Sequence, residues 1–152
     1  TNFMSLLKLL PFFPLYYGGK TIFSPIHCSD LTKIIFNVID KDIKNLTIDC
    51  IGPRKISFKE IIKILLKSIK KQRILIPLPI SLAKISALVF EKLPKPLITI
   101  DQLKLLKYDN IVSGKYLTNS DLDIKANRKF DIEIEKYSFN YRSGGQFSKK
   151  NL

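Results

Sequence analysis

The sequence predicts a mixed α/β fold, rich in helix with a few short strands. Two observations carry this. Short runs of β-branched and aromatic residues alternate with segments whose apolar residues recur at helical spacing. The segment Ile48-Asp49-Cys50-Ile51-Gly52-Pro53-Arg54-Lys55-Ile56-Ser57-Phe58-Lys59-Glu60 also reads as a complete strand, tight turn and capped helix. A chain of 152 residues with 45% hydrophobic and 26% charged residues can bury a core, so a disordered chain is excluded.

The elements follow in order. Phe3, Leu6, Leu7 and Leu10 share one face of a short helix that stops at Pro11. Residues 11–19 read as an apolar loop. Lys20 to His27 reads as a strand that Pro25 confines to an edge, an end or a bulge. Ser29 or Asp30 is the expected cap of the next helix, whose stripe is Leu31, Ile34, Ile35, Val38 and Ile39. Leu46 to Ile51 is a strand turned by Gly52-Pro53. Ser57 and Glu60 then form a capping box that opens a helix with Phe58, Ile61, Ile62, Leu65, Leu66 and Ile69 inward.

Beyond that helix, Arg73 to Pro79 is extended, and Ser81 to Lys92 is helical before Pro94 and Pro96 interrupt. A second capping box at Thr99 to Gln102 opens a short helix with Leu103 and Leu106 inward, and Asp109-Asn110 reads as a turn. The last helix runs from about Lys129 to Arg142 with Phe130, Ile134, Tyr137 and Tyr141 on one face, and Gly144 is placed to end it in the left-handed conformation. Residues 1–145 form the folded portion and 146–152 a tail. Thr1 in place of an initiator Met leads to the expectation that an N-terminal portion is lacking.

The formal charge of +13 suits an anionic partner, nucleic acid or membrane surface. The excess is mostly Lys spread along helices, as at Lys59, Lys63, Lys67 and Lys70, so a solvated helix face is the expectation; without interleaved Arg and aromatics, nucleic acid is not an expected partner. Cys28 and Cys50 form neither a redox pair nor a zinc set and are expected as buried, reduced thiols. No signal peptide makes use of the sequon Asn45-Leu46-Thr47, and the apolar runs are too short and too interrupted by proline to span a bilayer, which points to a cytoplasmic chain.

Gly19-Lys20-Thr21 imitates the end of a phosphate-cradling loop, but Pro14 stands where that loop needs Gly and a strand follows where it needs a helix. His27, the single histidine, sits among apolar neighbours that favour a structural role over proton transfer. Glu133 with Glu135, and Asp121 with Asp123, read as solvated carboxylates, because i and i+2 diverge on a helix. Phe12, Phe13, Leu15, Tyr16 and Tyr17 read as core packing first, with pocket lining or an interface as the alternative.

The runs Gly18-Gly19-Lys20-Thr21, Phe23-Ser24-Pro25-Ile26-His27-Cys28-Ser29-Asp30-Leu31, Ile51-Gly52-Pro53 with Ser57-Phe58-Lys59-Glu60, Ile76-Pro77-Leu78-Pro79, and Thr99 to Val112 stand in an order that resembles a known family. It is the C-terminal half of extended or atypical short-chain dehydrogenases/reductases of the NAD(P)-dependent epimerase/dehydratase type. Within it, the chain is most similar to the nucleotide-binding accessory subunits of respiratory complex I and their bacterial relatives. The resemblance implies an α/β fold that is the C-terminal, substrate or cap portion of a Rossmann-type protein. That family's Gly-rich first turn and Tyr-x-x-x-Lys pair are expected to lie outside these residues, which leaves the chain without oxidoreductase activity of its own.

It further implies NAD or NADP as cofactor, held mainly by an N-terminal half, with Tyr16, Tyr17, Gly18, Gly19, Phe23 and His27 lining the cleft. Nucleotide-sugar epimerases carry an Arg that reaches a diphosphate where this chain has Phe23, a departure that favours the complex I-like group. The implied partner is respiratory complex I or another quinone-linked assembly. The implied location is peripheral to the inner membrane face, in the mitochondrial matrix for a eukaryote. The alternative is an active epimerase, dehydratase or reductase on a small carbonyl substrate.

Overall fold

In the computed structural model, residues 2–79 and 100–145 are described. The expected helix Ser81 to Lys92, the prolines after it, the Thr99 cap and the tail lie outside them. The fold is mixed α/β, as expected. Five helices, α1 (Asn2–Leu9), α2 (Cys28–Asp40), α3 (Phe58–Ser68), α4 (Ile100–Leu105) and α5 (Phe130–Ser138), accompany six short strands among the described residues. The strands are β1 (Phe12–Tyr16), β2 (Ile22–Phe23), β3 (Ile48–Asp49), β4 (Ile56–Ser57), β5 (Ile74–Leu78) and β6 (Leu117–Thr118). They form three two-stranded sheets: β1 parallel to β5, β2 antiparallel to β4, and β3 parallel to β6.

The core gathers around α3. Ser57 and Glu60 make the expected reciprocal capping box, and Phe58, Ile62, Leu65, Leu66 and the following Ile69 are buried. Against this stripe pack Met4 and Leu7 of α1, Phe13, Leu15 and Tyr16 of β1, and Leu103 and Leu106 from α4 and its end. Phe3, Phe13 and Phe23 all place their rings against Phe58, at centroid distances of 5.7, 6.4 and 6.5 Å. Two arginines satisfy helix-end carbonyls across the fold. Arg73 donates to Leu7 O at 2.9 Å and Lys8 O at 3.1 Å, and Arg142 donates to Ser68 O at 2.7 Å.

Several expectations change. The loop expected at residues 11–19 contains β1, whose alternation of inward Phe13 and Leu15 with outward Phe12 and Pro14 is masked by proline acting as a breaker signal. The strand expected over Lys20 to His27 shrinks to Ile22–Phe23. Asp109-Asn110 is no turn. Its backbone runs beside β2, with Asn110 N–H donating to Ile22 O at 2.8 Å, Ser24 N–H donating to Asn110 O at 3.0 Å, and the Asp109 carboxylate accepting Ile22 N–H at 2.7 Å. On α2 only Ile34 of the expected stripe is fully buried, while Ile35, Phe36 and Ile39 are 51%, 67% and 71% exposed. Cys28 is exposed and Cys50 half-buried, both as free thiols, because Cys28 stands in the outer first turn of α2.

Gly52 is required by close approach. A Cβ there would lie 1.8 Å from the carbonyl oxygen of Pro25, so the β3–β4 turn and the segment before α2 meet backbone to backbone.

Candidate functional site

The carboxyl ends of parallel strands are where open α/β sheets receive ligands. β1 ends there in a tight turn. Tyr17, Gly18 and Gly19 take successive left-handed conformations, with φ of 51°, 66° and 70°. For a residue as bulky as Tyr17 such a backbone costs about 1–3 kcal/mol, so surrounding structure must hold it. Gly19 supplies that hold: a Cβ there would meet Lys59 Cβ at 2.9 Å and Lys59 N at 3.2 Å, seating the turn on the first turn of α3. Thr21 continues the seam, its hydroxyl donating to Leu106 O and its carbonyl accepting Phe58 N–H at 2.8 Å.

Of the six expected cleft residues, Tyr16, Tyr17, Gly18, Gly19 and Phe23 therefore share the β1–turn–β2 segment. Tyr16 is buried in the core, and Tyr17 and Phe23 pack against it. Tyr16 and Lys20 also stand in Tyr-x-x-x-Lys spacing, which corrects the expectation that no such pair lies within these residues. The geometry is not the catalytic one. The interval spans a strand end and three left-handed residues, so Tyr16 and Lys20 do not share a helix face, and Tyr16 is buried while Lys20 is exposed.

His27 stands apart, in a cleft of about 240 Å³ that it lines with Pro25, Cys28, Arg128, Phe130, Glu133 and Tyr137. It is the N-cap of α2, in place of the expected Ser29 or Asp30: its Nδ1 accepts Ser29 N–H at 3.2 Å. With Nδ1 serving the cap, Nε2 is the ring nitrogen that faces Glu133, 3.8 Å from its Oε2. Glu133 is thus not a solvated carboxylate. Its side chain is 12% exposed, Lys136 Nζ lies 2.8 Å from Oε1, and Arg128 reaches it at 3.4 Å. The hydrogen bond from Lys136, then the charges of Lys136, Arg128 and His27, hold the Glu133 carboxyl below its usual range against the opposing effect of burial.

In the first turn of α2, Asp30 is 2% exposed and its Oδ2 accepts the backbone N–H groups of Asn127 at 3.0 Å and Arg128 at 2.9 Å. Asp30 Oδ1 is buried without a hydrogen-bond partner among the described residues. Sequence reasoning assigned Asp30 to a cap and missed both this tie and the Arg128–Glu133–His27 group, since partners about a hundred residues apart leave no local signal. Chemically the cleft is poor in nucleophiles. Cys28 Sγ lies 4.0 Å from the capping Nδ1 rather than from Nε2, and Glu133 is already neutralised by two cations. Among the described residues no group of three His, Cys, Asp or Glu side chains is placed to hold a metal, and no helix is long and apolar enough to cross a membrane.

No family model matches the chain. A curated protein of Arabidopsis thaliana, the mitochondrial NADH dehydrogenase (ubiquinone) 1 alpha subcomplex subunit 9, is 28% identical to it over 150 residues, an alignment that takes in 91% of this chain and 37% of that protein. The chain thus spans little more than a third of the relative's length.

Proposed function

We propose that this chain is the C-terminal portion of an NAD(P)-binding accessory subunit of respiratory complex I, in which the nucleotide serves structure or assembly rather than turnover. The observation that carries the reading is the alignment over 91% of the chain to a subunit of a mitochondrial NADH dehydrogenase. The sheet geometry supports the incompleteness that goes with it. Parallel sheets occur almost entirely with both faces covered, yet β1 and β5 present Phe12, Ile74 and Ile76 at 49%, 70% and 41% exposure. A dinucleotide-binding half of the same protein is the cover this reading assigns.

On this reading, NAD or NADP is held mainly by that other half, and Tyr16, Tyr17, Gly18, Gly19, Phe23 and His27 border the cleft. A non-catalytic role is supported by the burial of Tyr16 in the core with Lys20 across a left-handed turn from it, not on a shared helix face, and by the neutralised Glu133. The placement is the matrix side of the inner mitochondrial membrane, in peripheral contact with it, with the other subunits of the complex as partners.

The test is native electrophoresis of detergent-solubilised membranes from cells that carry a tagged copy of the complete coding sequence. The tag is expected to co-migrate with in-gel NADH dehydrogenase activity, and deletion to lower the amount of assembled complex more than the activity per complex. A tag that migrates as a free protein, with the complex intact after deletion, would overturn the proposal.

A further inference from the structure

The outward face of α3 carries a row of lysines that local packing does not account for. Lys59, Lys63 and Lys67 stand at i, i+4 and i+8, within about 80° of one another around the helix axis, and all are exposed. Arg54 and Lys55 extend the row before the helix, and Lys70 and Lys71 after it. Among the described residues, no carboxylate lies within ion-pair distance of Lys59, Lys63, Lys67 or Lys70, although Lys67 and Arg54 border a pocket that Asp131 and Glu135 of α5 also line. Glu60, the acid within the row's own first turn, has Oε2 taken up by the Ser57 N–H and hydroxyl and turns Oε1 toward Arg54 at 3.8 Å.

Such a row works against its own helix. Like charges at i, i+4 repel, and Lys59 sits in the first turn, where the backbone already presents positive partial charge. An anionic partner that lies along the face removes the penalty.

We infer that the α3 lysine row, with Arg54 and Lys55 at its start, is a docking surface for anionic phospholipid headgroups of a membrane surface. A lipid surface is favoured over nucleic acid by the composition of the helical row. It is all Lys, with no aromatic side chain to stack on a base and no Arg to grip a phosphate in two places. The inference rests on the peripheral placement proposed above for its setting, but its test does not depend on assembly into a complex.

The experiment is flotation of the protein expressed from its complete coding sequence with vesicles of phosphatidylcholine alone or with about 30% phosphatidylglycerol. Three proteins are compared: the native one, a triple variant Lys59→Gln, Lys63→Gln, Lys67→Gln, and a control of equal charge, Lys33→Gln, Lys41→Gln, Lys115→Gln. Lys33, Lys41 and Lys115 are exposed off the row. Gln matches Lys in helix propensity, so melting temperature checks that folding is kept.

The native protein is expected on the anionic vesicles only, with binding that weakens steeply as salt rises from about 50 to about 200 mM. The row variant is expected to bind about 10- to 100-fold more weakly, and the control within about threefold of native. Equal losses in both variants, absence of binding to anionic vesicles, or tighter binding to an oligonucleotide than to the vesicles would overturn the inference. Vesicle binding by a protein that fails to co-migrate with the complex would leave the lipid surface standing and sink the complex I reading; co-migration without vesicle binding would do the reverse.

Discussion

Asp30 shows at the scale of one residue how the fold ties distant segments together. Its buried Oδ2 holds two successive backbone N–H groups, those of Asn127 and Arg128, and so sets the segment that leads into α5 against the start of α2. Asp30→Ala orphans both donors and is expected to cost about 2–4 kcal/mol, while Asp30→Asn keeps an acceptor and costs less. Chemical denaturation of the three proteins decides it, and equal costs for Ala and Asn would show that the carboxylate is not the tie. None of this was legible in the sequence, where Asp30 has the look of an N-cap. The cap is His27, an uncommon choice whose ring nitrogen does the work expected of Ser29, and propensity alone would not select it.

At the scale of the element, α3 was the most legible part of the chain. Its apolar spacing and the Ser57–Glu60 box each specify the same helix, and the two signals agree to the residue. β1 was illegible, because Pro14 breaks a strand reading while the alternation of Phe13 and Leu15 is too short to restore it.

The element ends also set the response to acid. Backbone and hydroxyl bonds from Ser57 hold Glu60 below its usual range, Thr118 does the same for Asp121, and the Ser113 hydroxyl and N–H do so for Asp49. A carboxyl lowered in the folded state contributes stability above its unfolded value, about pH 4, and loses it as pH falls through the folded value. The Glu60→Gln protein is therefore expected to melt below the native one at pH 6, with the gap narrowing as pH falls below about 4. A gap that stays constant across this range would show that the bond to Ser57 does not depend on the Glu60 charge.

For the molecule as a whole, the sequence made the α/β class and the helical faces plain but not what covers them. Periodicity states which residues of α2 form an apolar stripe, yet among the described residues its Ile35 and Ile39 remain exposed beside Phe36, as do Phe12, Ile74 and Ile76 on the β1–β5 sheet. Two uncovered apolar faces on one basic chain are the large-scale pattern that a partner half would resolve. Asp109-Asn110, the most specific part of the family resemblance, serves inside the chain by lacing the end of α4 to β2, which explains its chemistry without a ligand.

The proposal that a nucleotide-binding half of the same protein completes this fold has a simple check. It is tested most directly by the melting temperature of the protein expressed from its complete coding sequence, with and without saturating NADH or NADPH. One cooperative transition is expected, rising by about 4 °C or more with one of the two nucleotides. A transition that neither nucleotide moves would contradict it.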